Sequence, residues 1–181
     1  MEANEASELQ EHAEHGSHDG ALRPVAFTMS VLAVLVAVTT VLGHRTHTEA
    51  VLFQNKATDQ WNEYQAKKIR MESLSVVVDQ MGLQSTVDAK TTAAKLVEYK
   101  AHIAKWTDDL KEGSDKAKEY EVEVKRAEAK AVRFDIGEAL LQISVVLCSI
   151  TLFTRRRSFF FGGLALGVVG LVVASSAWLV R

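Results

Sequence analysis

Three histidines near the start of the chain are the residues whose types and spacing best suit a metal ion. His12, His15 and His18 recur every three positions among acidic residues, and neutral imidazoles with carboxylates can hold Zn²⁺ or Ni²⁺. The surrounding residues 1–23 carry no base before Arg23, which is typical of a disordered acidic tail. We therefore predict no metal site and keep these histidines as candidates for a metal-responsive tail.

A second group of polar side chains opens a later apolar segment. Asp135, Glu138 and Gln142 follow the spacing i, i+3, i+7, so they share one face of a helix. Acids buried in a membrane helix mark proton or cation paths, whereas acids in the first turns of a helix complement its dipole. We favour the second interpretation and keep the first as a transport hypothesis.

Two aromatic residues, Trp61 and Tyr64, lie one helical turn apart and close to Lys67 and Lys68. This arrangement allows a cation–π or lipid contact. Aromatic residues at helical spacing more commonly pack against a neighbouring helix, and we expect that role here.

The motifs that usually identify an enzyme are missing from the sequence. It contains no Walker loop, no GxSxG, no HExxH and no CxxC pair. We therefore expect no catalytic activity and no cofactor. The net charge of −2 gives no argument for nucleic acid as a partner.

Three apolar segments are long enough to cross a membrane. Residues 24–43 and 159–180 carry no charge, and at 1.5 Å per residue each spans roughly 30 Å, the thickness of a hydrocarbon core. Residues 134–154 form a segment that the arginines of the loop 155–158 end. We predict three transmembrane helices, the last two of them an antiparallel pair.

The arginine-rich loop 155–158 also predicts the orientation. Short loops rich in Lys and Arg stay in the cytoplasm, whereas segments beyond about 60 residues are translocated largely regardless of charge. We therefore expect the N-terminus and this loop to be cytoplasmic and residues 44–133 to be periplasmic or external.

Residues 44–133 predict a charged helical hairpin, because they hold 16 Lys/Arg and 15 Asp/Glu around apolar heptad rows. An even number of long helices must return the chain to the membrane, so we place the turn near Gly82 and treat Gly113 as a kink or local irregularity. Gln60 and Lys67 interrupt the rows. The rows consist of Ala50, Ala57, Tyr64, Met71 and Val78 with Phe53, Leu74 and Met81, and then of Ala117, Tyr120, Val124, Ala127, Ala131 and Phe134.

Small residues recur at helical spacing in two of the apolar segments. The last segment has Gly163, Gly167 and Gly170, and the first has Ala26, Ser30, Ala33 and Ala37. Such stripes let helix backbones approach closely in lipid. We expect them to serve helix packing, and we count them in favour of a homo-oligomer.

The stretch from Asp59 to Ile69, which contains Trp61-x-x-Tyr64-Gln65-Ala66-Lys67, resembles an uncharacterised bacterial inner-membrane family described as a domain of unknown function. The resemblance covers nearly the whole chain: an acidic His-containing tail, one crossing, a charged helical region and two C-terminal crossings. It implies a multi-pass protein of the bacterial inner membrane, and it brings no activity, cofactor or site residues.

Together these patterns predict an all-α protein with three transmembrane helices and a long extramembrane, coiled-coil-like helical hairpin. We expect a non-enzymatic membrane-anchored scaffold that acts by self-association or by docking an unidentified protein partner on the hairpin. Its other partner is the lipid bilayer. The alternatives are an ion-conducting component that uses Asp135, Glu138 and Gln142, and a metal-responsive sensor that uses the N-terminal histidines.

Overall fold

A computed structural model describes residues 22–83 and 89–180 of the chain. Over these residues the fold is all-helical and contains no strand, which confirms the predicted all-α class. The elements are α1 (Arg23–Leu83), α2 (Ala89–Thr154), α3 (Arg157–Ser176) and a final 3₁₀ turn (Ala177–Leu179). The His12, His15 and His18 tail lies outside the described residues, as do residues 84–88, which follow Gly82.

The sequence favours long helices because it offers few breaks. Its only proline, Pro24, is the second residue of α1, where the missing N–H has no helical partner to lose. Gly113 lies inside α2, and the helix continues through it without a break. The helix is not broken at Gly113, and a kink there stays a prediction.

The chain divides into two compact units. Unit one contains the N-terminal part of the chain to Ala50, and α2 from Lys125 onward together with α3. We call it the three-helix unit. The two-helix unit is Val51–Val124, the rest of α1 and α2.

The three-helix unit has its own apolar core. Val25, Met29, Leu32 and Val36 of α1 pack in one cluster with residues of α2. The α2 members of this cluster are Leu141, Val145 and Cys148, and Phe160 of α3 packs against it from the side. A smaller cluster joins Phe134 to Ala174 and Ala177.

The exterior of the three-helix unit is also apolar. Large side chains on α1, on α2 and in the final 3₁₀ turn are exposed: Phe27 is 73% exposed, Phe153 92% and Trp178 76%. Three described helices are long and apolar enough to cross a membrane, namely Arg23–Leu83, Lys90–Thr154 and Arg157–Leu179. Their ability to cross a membrane is inferred from helix length and composition alone.

Within the two-helix unit, α1 and α2 run antiparallel. Lys56 lies over the Tyr120 ring, Trp61 bonds Glu121, and Met71 accepts a hydrogen bond from Thr107. The heptad residues Tyr64, Met71, Leu74 and Val78 are half-buried, as is Lys67, while the other positions between Tyr64 and Val78 are exposed. The heptad rows therefore lie along the seam between the two helices.

Candidate functional site

A polar cluster joins α1 to α2 within the three-helix unit. Thr40 donates a hydrogen bond to Glu138 Oε1 (2.7 Å), and Gln142 Nε2 donates to the same oxygen (2.9 Å). One turn away, His47 Nε2 lies 3.0 Å from Asp135 Oδ2. The three predicted polar residues of α2 thus share one face, and α1 supplies two partners.

The geometry of this cluster suits a link between helices better than a conducting path. Both carboxylates already have hydrogen-bond partners, and the side chains of His47 and Asp135 are half-exposed on the outside of the unit. A carboxylate in apolar surroundings is tolerated when it is paired in this way. Sequence analysis missed Thr40 and His47 as partners because a single sequence does not give the register between two helices.

The glycine stripe of α3 packs against α2 of the same chain. Gly163, Gly167 and Gly170 are all buried. A Cβ added at Gly167 would lie 2.9 Å from Ser144 Oγ, and one at Gly170 would lie 2.9 Å from the Gly137 carbonyl oxygen. Ser144 Oγ also donates a 2.6 Å hydrogen bond to the Gly163 carbonyl.

This placement changes the argument for self-association. The glycine stripe of α3 is buried against α2 of the same chain, so it offers no surface to a second copy. It therefore does not support the homo-oligomer for which the sequence analysis counted it. On α1, Ala26 is buried but Ser30 and Ala37 are exposed. Only part of the α1 stripe is therefore covered within the chain.

Sequence analysis missed Gly137, which makes the tightest helix crossing among the glycines of residues 22–83 and 89–180. A Cβ at this position would lie 2.7 Å from Ala174 Cβ and 2.9 Å from both Ala174 N and Gly170 O. Two of these neighbours are backbone atoms that cannot rotate away. The sequence gave no signal for this role, because Gly137 stands alone and is not part of a row of small residues at helical spacing. Its neighbours Asp135 and Glu138 indicated only a polar face.

The aromatic pair lies in the two-helix unit and links its helices. Trp61 Nε1 donates a 2.8 Å hydrogen bond to Glu121 Oε1. The Trp61 and Tyr64 rings meet edge to face, with centroids 5.5 Å apart and planes at 84°, a favourable aromatic geometry. The pair thus packs at the seam.

Lys67, which we considered as a cation–π partner, instead forms an ion pair. Its Nζ lies 2.7 Å from Glu63 Oε1. This hydrogen bond is the main reason that the pKa of Glu63 is lowered and that of Lys67 raised. The cation over the Tyr120 ring is Lys56, at 5.8 Å from the ring centroid.

No group of three or more His, Cys, Asp or Glu side chains that could hold a metal ion occurs among residues 22–83 and 89–180. The histidine hypothesis concerns residues 12–18, which lie outside this part of the chain. It therefore stays a prediction.

These features define an all-helical protein with a tightly packed three-helix unit and a charged two-helix unit. The chain belongs to the family described as a domain of unknown function, DUF4337, which matches residues 21–180. Neither the comparison with curated proteins nor the comparison with solved structures gives a match.

Proposed function

We propose that this protein is a non-enzymatic, membrane-anchored helical scaffold that acts through association of its two-helix unit with a second copy or a partner protein. The observation that carries the proposal is the incomplete core of that unit. None of its described residues between 58 and 109 is buried. Two paired helices cannot cover all of the apolar side chains along their contact, so part of each of these side chains stays exposed to water.

The open seam is apolar enough to be a binding surface. Met71, Leu74 and Met81 of α1 are only half-buried, as are Ile103 and Trp106 of α2. Further apolar side chains lie beside them, with Ile69 62% exposed and Val97 70% exposed. An amphipathic helix normally covers such a stripe with another helix, and contiguous exposed apolar surface marks interaction sites.

The anchor is proposed from the exterior of the three-helix unit. Its surface carries Phe27, Phe153 and Trp178, whereas its buried hydroxyls donate to backbone carbonyls, as in Thr39 to Leu35 O and Thr151 to Leu147 O. A bilayer requires this combination, since it offers apolar side chains a favourable solvent and polar groups no partners. The proposed location is the bacterial inner membrane.

Charge distribution supports a place in water for the two-helix unit. Its ion pairs, Lys68–Glu72, Lys95–Glu98 and Lys116–Glu112, are formed by exposed neighbours on one helix. Such pairs stabilise little and are typical of a solvated face. In the proposed orientation this unit is external, and the loop between α2 and α3 is cytoplasmic.

The test is the mass of the purified protein in lipid nanodiscs, measured by mass photometry. We expect at least a dimer for the native chain. An Ile69→Glu, Val97→Glu double variant should lower the dimer fraction, because it places charges on the exposed apolar surface without entering the seam within the chain. The control is Gln65→Glu, Ala94→Glu, which adds the same charge at exposed positions of the same helices.

Two outcomes bear against the proposal. A native protein that is monomeric in nanodiscs, and that cross-links in cells to no protein through the two-helix unit, would overturn it. Equal dissociation of both double variants would show that added charge alone separates the copies, and the apolar surface would lose its role.

A further inference from the structure

A carboxamide lies on the outside of the three-helix unit, within a segment that is otherwise mostly apolar. Gln142 is exposed, and the apolar side chains of Ile143 and Val146 beside it are 49% and 58% exposed. Along α2, Gln142 is about 12 Å from Phe134 and about 18 Å from Thr154, the two ends of the apolar segment. In the proposed membrane anchor this depth is inside the hydrocarbon core, where lipid offers the amide no hydrogen-bond partner.

The Gln142 amide has hydrogen-bonding capacity that the chain does not use. A carboxamide carries two N–H donors and an oxygen acceptor, and one N–H of Gln142 donates to Glu138 Oε1 at 2.9 Å. Within residues 22–83 and 89–180, this is the only hydrogen bond of the Gln142 side chain. One donor and one acceptor remain, so the group that satisfies both must itself offer an acceptor and a donor.

The amide faces away from α3. Leu140 and Leu147 of α2 adjoin the glycine stripe of α3. Gln142 follows the first of these leucines by two residues and Ser149 follows the second by two, and two residues turn about 200° around a helix. Gln142 and the half-buried Ser149 are seven residues apart and share one face of α2. This face is therefore not covered by α3.

Small side chains of α1 border the amide. Thr40 of α1 bonds Glu138, which lies one helical turn before Gln142, so this side of α1 adjoins the amide. Ala37 and Ala33 precede Thr40 by three and seven residues and therefore share its face. Ala37 is exposed and Ala33 is half-buried. Small residues let a neighbouring helix approach closely in lipid, so the amide borders a surface that another helix can reach.

We propose that this surface, formed by Ala33 and Ala37 of α1 with Gln142 and Ser149 of α2, binds a second copy of the same chain within the bilayer. We call it the amide surface. Across a two-fold axis, Gln142 donates its remaining N–H to the amide oxygen of the partner's Gln142 and accepts the equivalent hydrogen bond in return. A two-fold interface joins the same patch of both copies, and glutamine side chains stabilise helix contacts in membranes by bonding across them.

A second copy suits the amide better than a lipid or an unrelated helix. Acyl chains have no donor and no acceptor. An unrelated helix must carry a donor and an acceptor at the same depth, whereas a second copy in the same orientation carries its own Gln142 there by symmetry. The inference deepens the proposed self-association and rests on the proposed membrane anchor. It uses a surface of the three-helix unit instead of the apolar seam of the two-helix unit.

Two pairs of variants separate the amide surface from general effects. Gln142→Leu removes the amide, and its control Thr40→Val removes the other donor to Glu138 and leaves the amide in place. Ala37→Leu adds bulk on the amide surface, and its control Ala165→Leu adds the same bulk at an exposed alanine of α3. Dimerisation of the full chain is measured by Förster transfer between copies labelled at the N-terminus, in phosphatidylcholine liposomes at several protein-to-lipid ratios.

We expect Gln142→Leu to weaken dimerisation roughly tenfold, because two reciprocal hydrogen bonds between membrane helices are lost. Ala37→Leu should weaken it as well, since the larger side chain holds the helices apart. Thr40→Val and Ala165→Leu should dimerise like the native chain. Circular dichroism checks the helix content of every variant, and the Ala37 pair decides the question alone if Gln142→Leu does not fold.

Three results would overturn the amide surface. The first is native dimerisation in Gln142→Leu and Ala37→Leu. The second is equal weakening in Gln142→Leu and Thr40→Val, which would assign the effect to the Glu138 contact within one chain. The third is equal weakening in Ala37→Leu and Ala165→Leu, which would show that added bulk anywhere on the exterior separates the copies.

Repeating the series in the Ile69→Glu, Val97→Glu background separates this inference from the proposed function. A Gln142→Leu effect in both backgrounds supports the amide surface whether or not the two-helix unit associates. A dimer that responds to Ile69→Glu, Val97→Glu but not to Gln142→Leu contradicts only the amide surface. A chain that does not insert into liposomes has no membrane anchor, and the proposed function then fails together with this inference.

Discussion

At the scale of single residues, the packing of the three-helix unit depends on glycines, whose lack of a side chain lets neighbouring helices approach closely. Gly137 and Gly162 are both helical glycines of apolar segments, yet their surroundings differ completely. A Cβ at Gly137 would meet backbone atoms of α3 at 2.9 Å, whereas a Cβ at Gly162 would meet nothing within 4 Å. Position in the packed unit therefore decides what each glycine contributes.

This contrast predicts the effect of one methyl group. Gly137→Ala should destabilise the three-helix unit by about 1–3 kcal/mol, because overpacking forces the helices apart. Gly162→Ala should change stability by less than about 1 kcal/mol, and in the stabilising direction, since alanine favours the helix. Unfolding in mixed detergent micelles, followed by circular dichroism, measures both. Equal effects at the two positions would show that α2 and α3 do not cross closely at Gly137.

The residue scale also shows what a single sequence can and cannot predict about the candidate site. The spacing of Asp135, Glu138 and Gln142 predicted a shared face, which periodicity alone determines. The partners Thr40 and His47 depend on the register of α1 against α2, and no local pattern encodes that register. The glycine stripe of α3 was visible in the sequence, but whether it packs within one chain or between chains is a tertiary property.

At the scale of elements, α1 and α2 pair through a seam with few buried side chains. The heptad rows located this seam because a 3.5-residue period keeps one face toward a neighbouring helix. Sequence analysis predicted a kink or local irregularity at Gly113, and the helix continues through this residue. A lone glycine weakens a helix by only about 1 kcal/mol, which the flanking residues offset.

The contact between Trp61 and Glu121 predicts a measurable coupling between these two helices. Trp61→Phe retains an aromatic ring beside Tyr64 but loses the indole N–H donor, and Glu121→Ala loses the acceptor. In a double-mutant cycle of unfolding free energies we expect a coupling of about 0.5–1.5 kcal/mol, since the hydrogen bond involves a charged but exposed acceptor.

The matched control pairs Trp61→Phe with Glu119→Ala, an exposed acid two residues before Glu121 on the same helix. That cycle should give no significant coupling. Additive effects for Trp61 and Glu121 as well would mean that the Trp61 N–H contributes nothing to the pairing of α1 with α2, and the aromatic signature would need another role.

At the scale of the whole molecule, two kinds of surface divide the chain. The three-helix unit exposes apolar side chains around a core that satisfies its own hydroxyls. The two-helix unit, Val51–Val124, exposes mixed charges and an apolar seam. Composition predicted this division, since charge is absent from residues 24–43 and 159–180 and dense between 44 and 133. The family match spans residues 21–180, so it includes residues of both units.

The central proposal is that three helices cross a membrane and that residues 51–124 lie on the side opposite the arginine-rich loop. The most direct measurement is thiol labelling of spheroplasts with a membrane-impermeant reagent, in a Cys148→Ala background. Gly82 and Ser158 are both exposed. Gly82 lies near the end of α1, and Ser158 is the last residue of the loop 155–158. Neither Gly82→Cys nor Ser158→Cys removes an arginine on which the proposed orientation rests.

The account predicts that Gly82→Cys reacts in intact spheroplasts and that Ser158→Cys reacts only after lysis. An odd number of crossings separates the two positions, so they must lie on opposite sides. The reverse labelling would keep the crossings and invert the orientation. Equal labelling of both positions before lysis, or of neither, would contradict the three crossings and with them the proposed anchor.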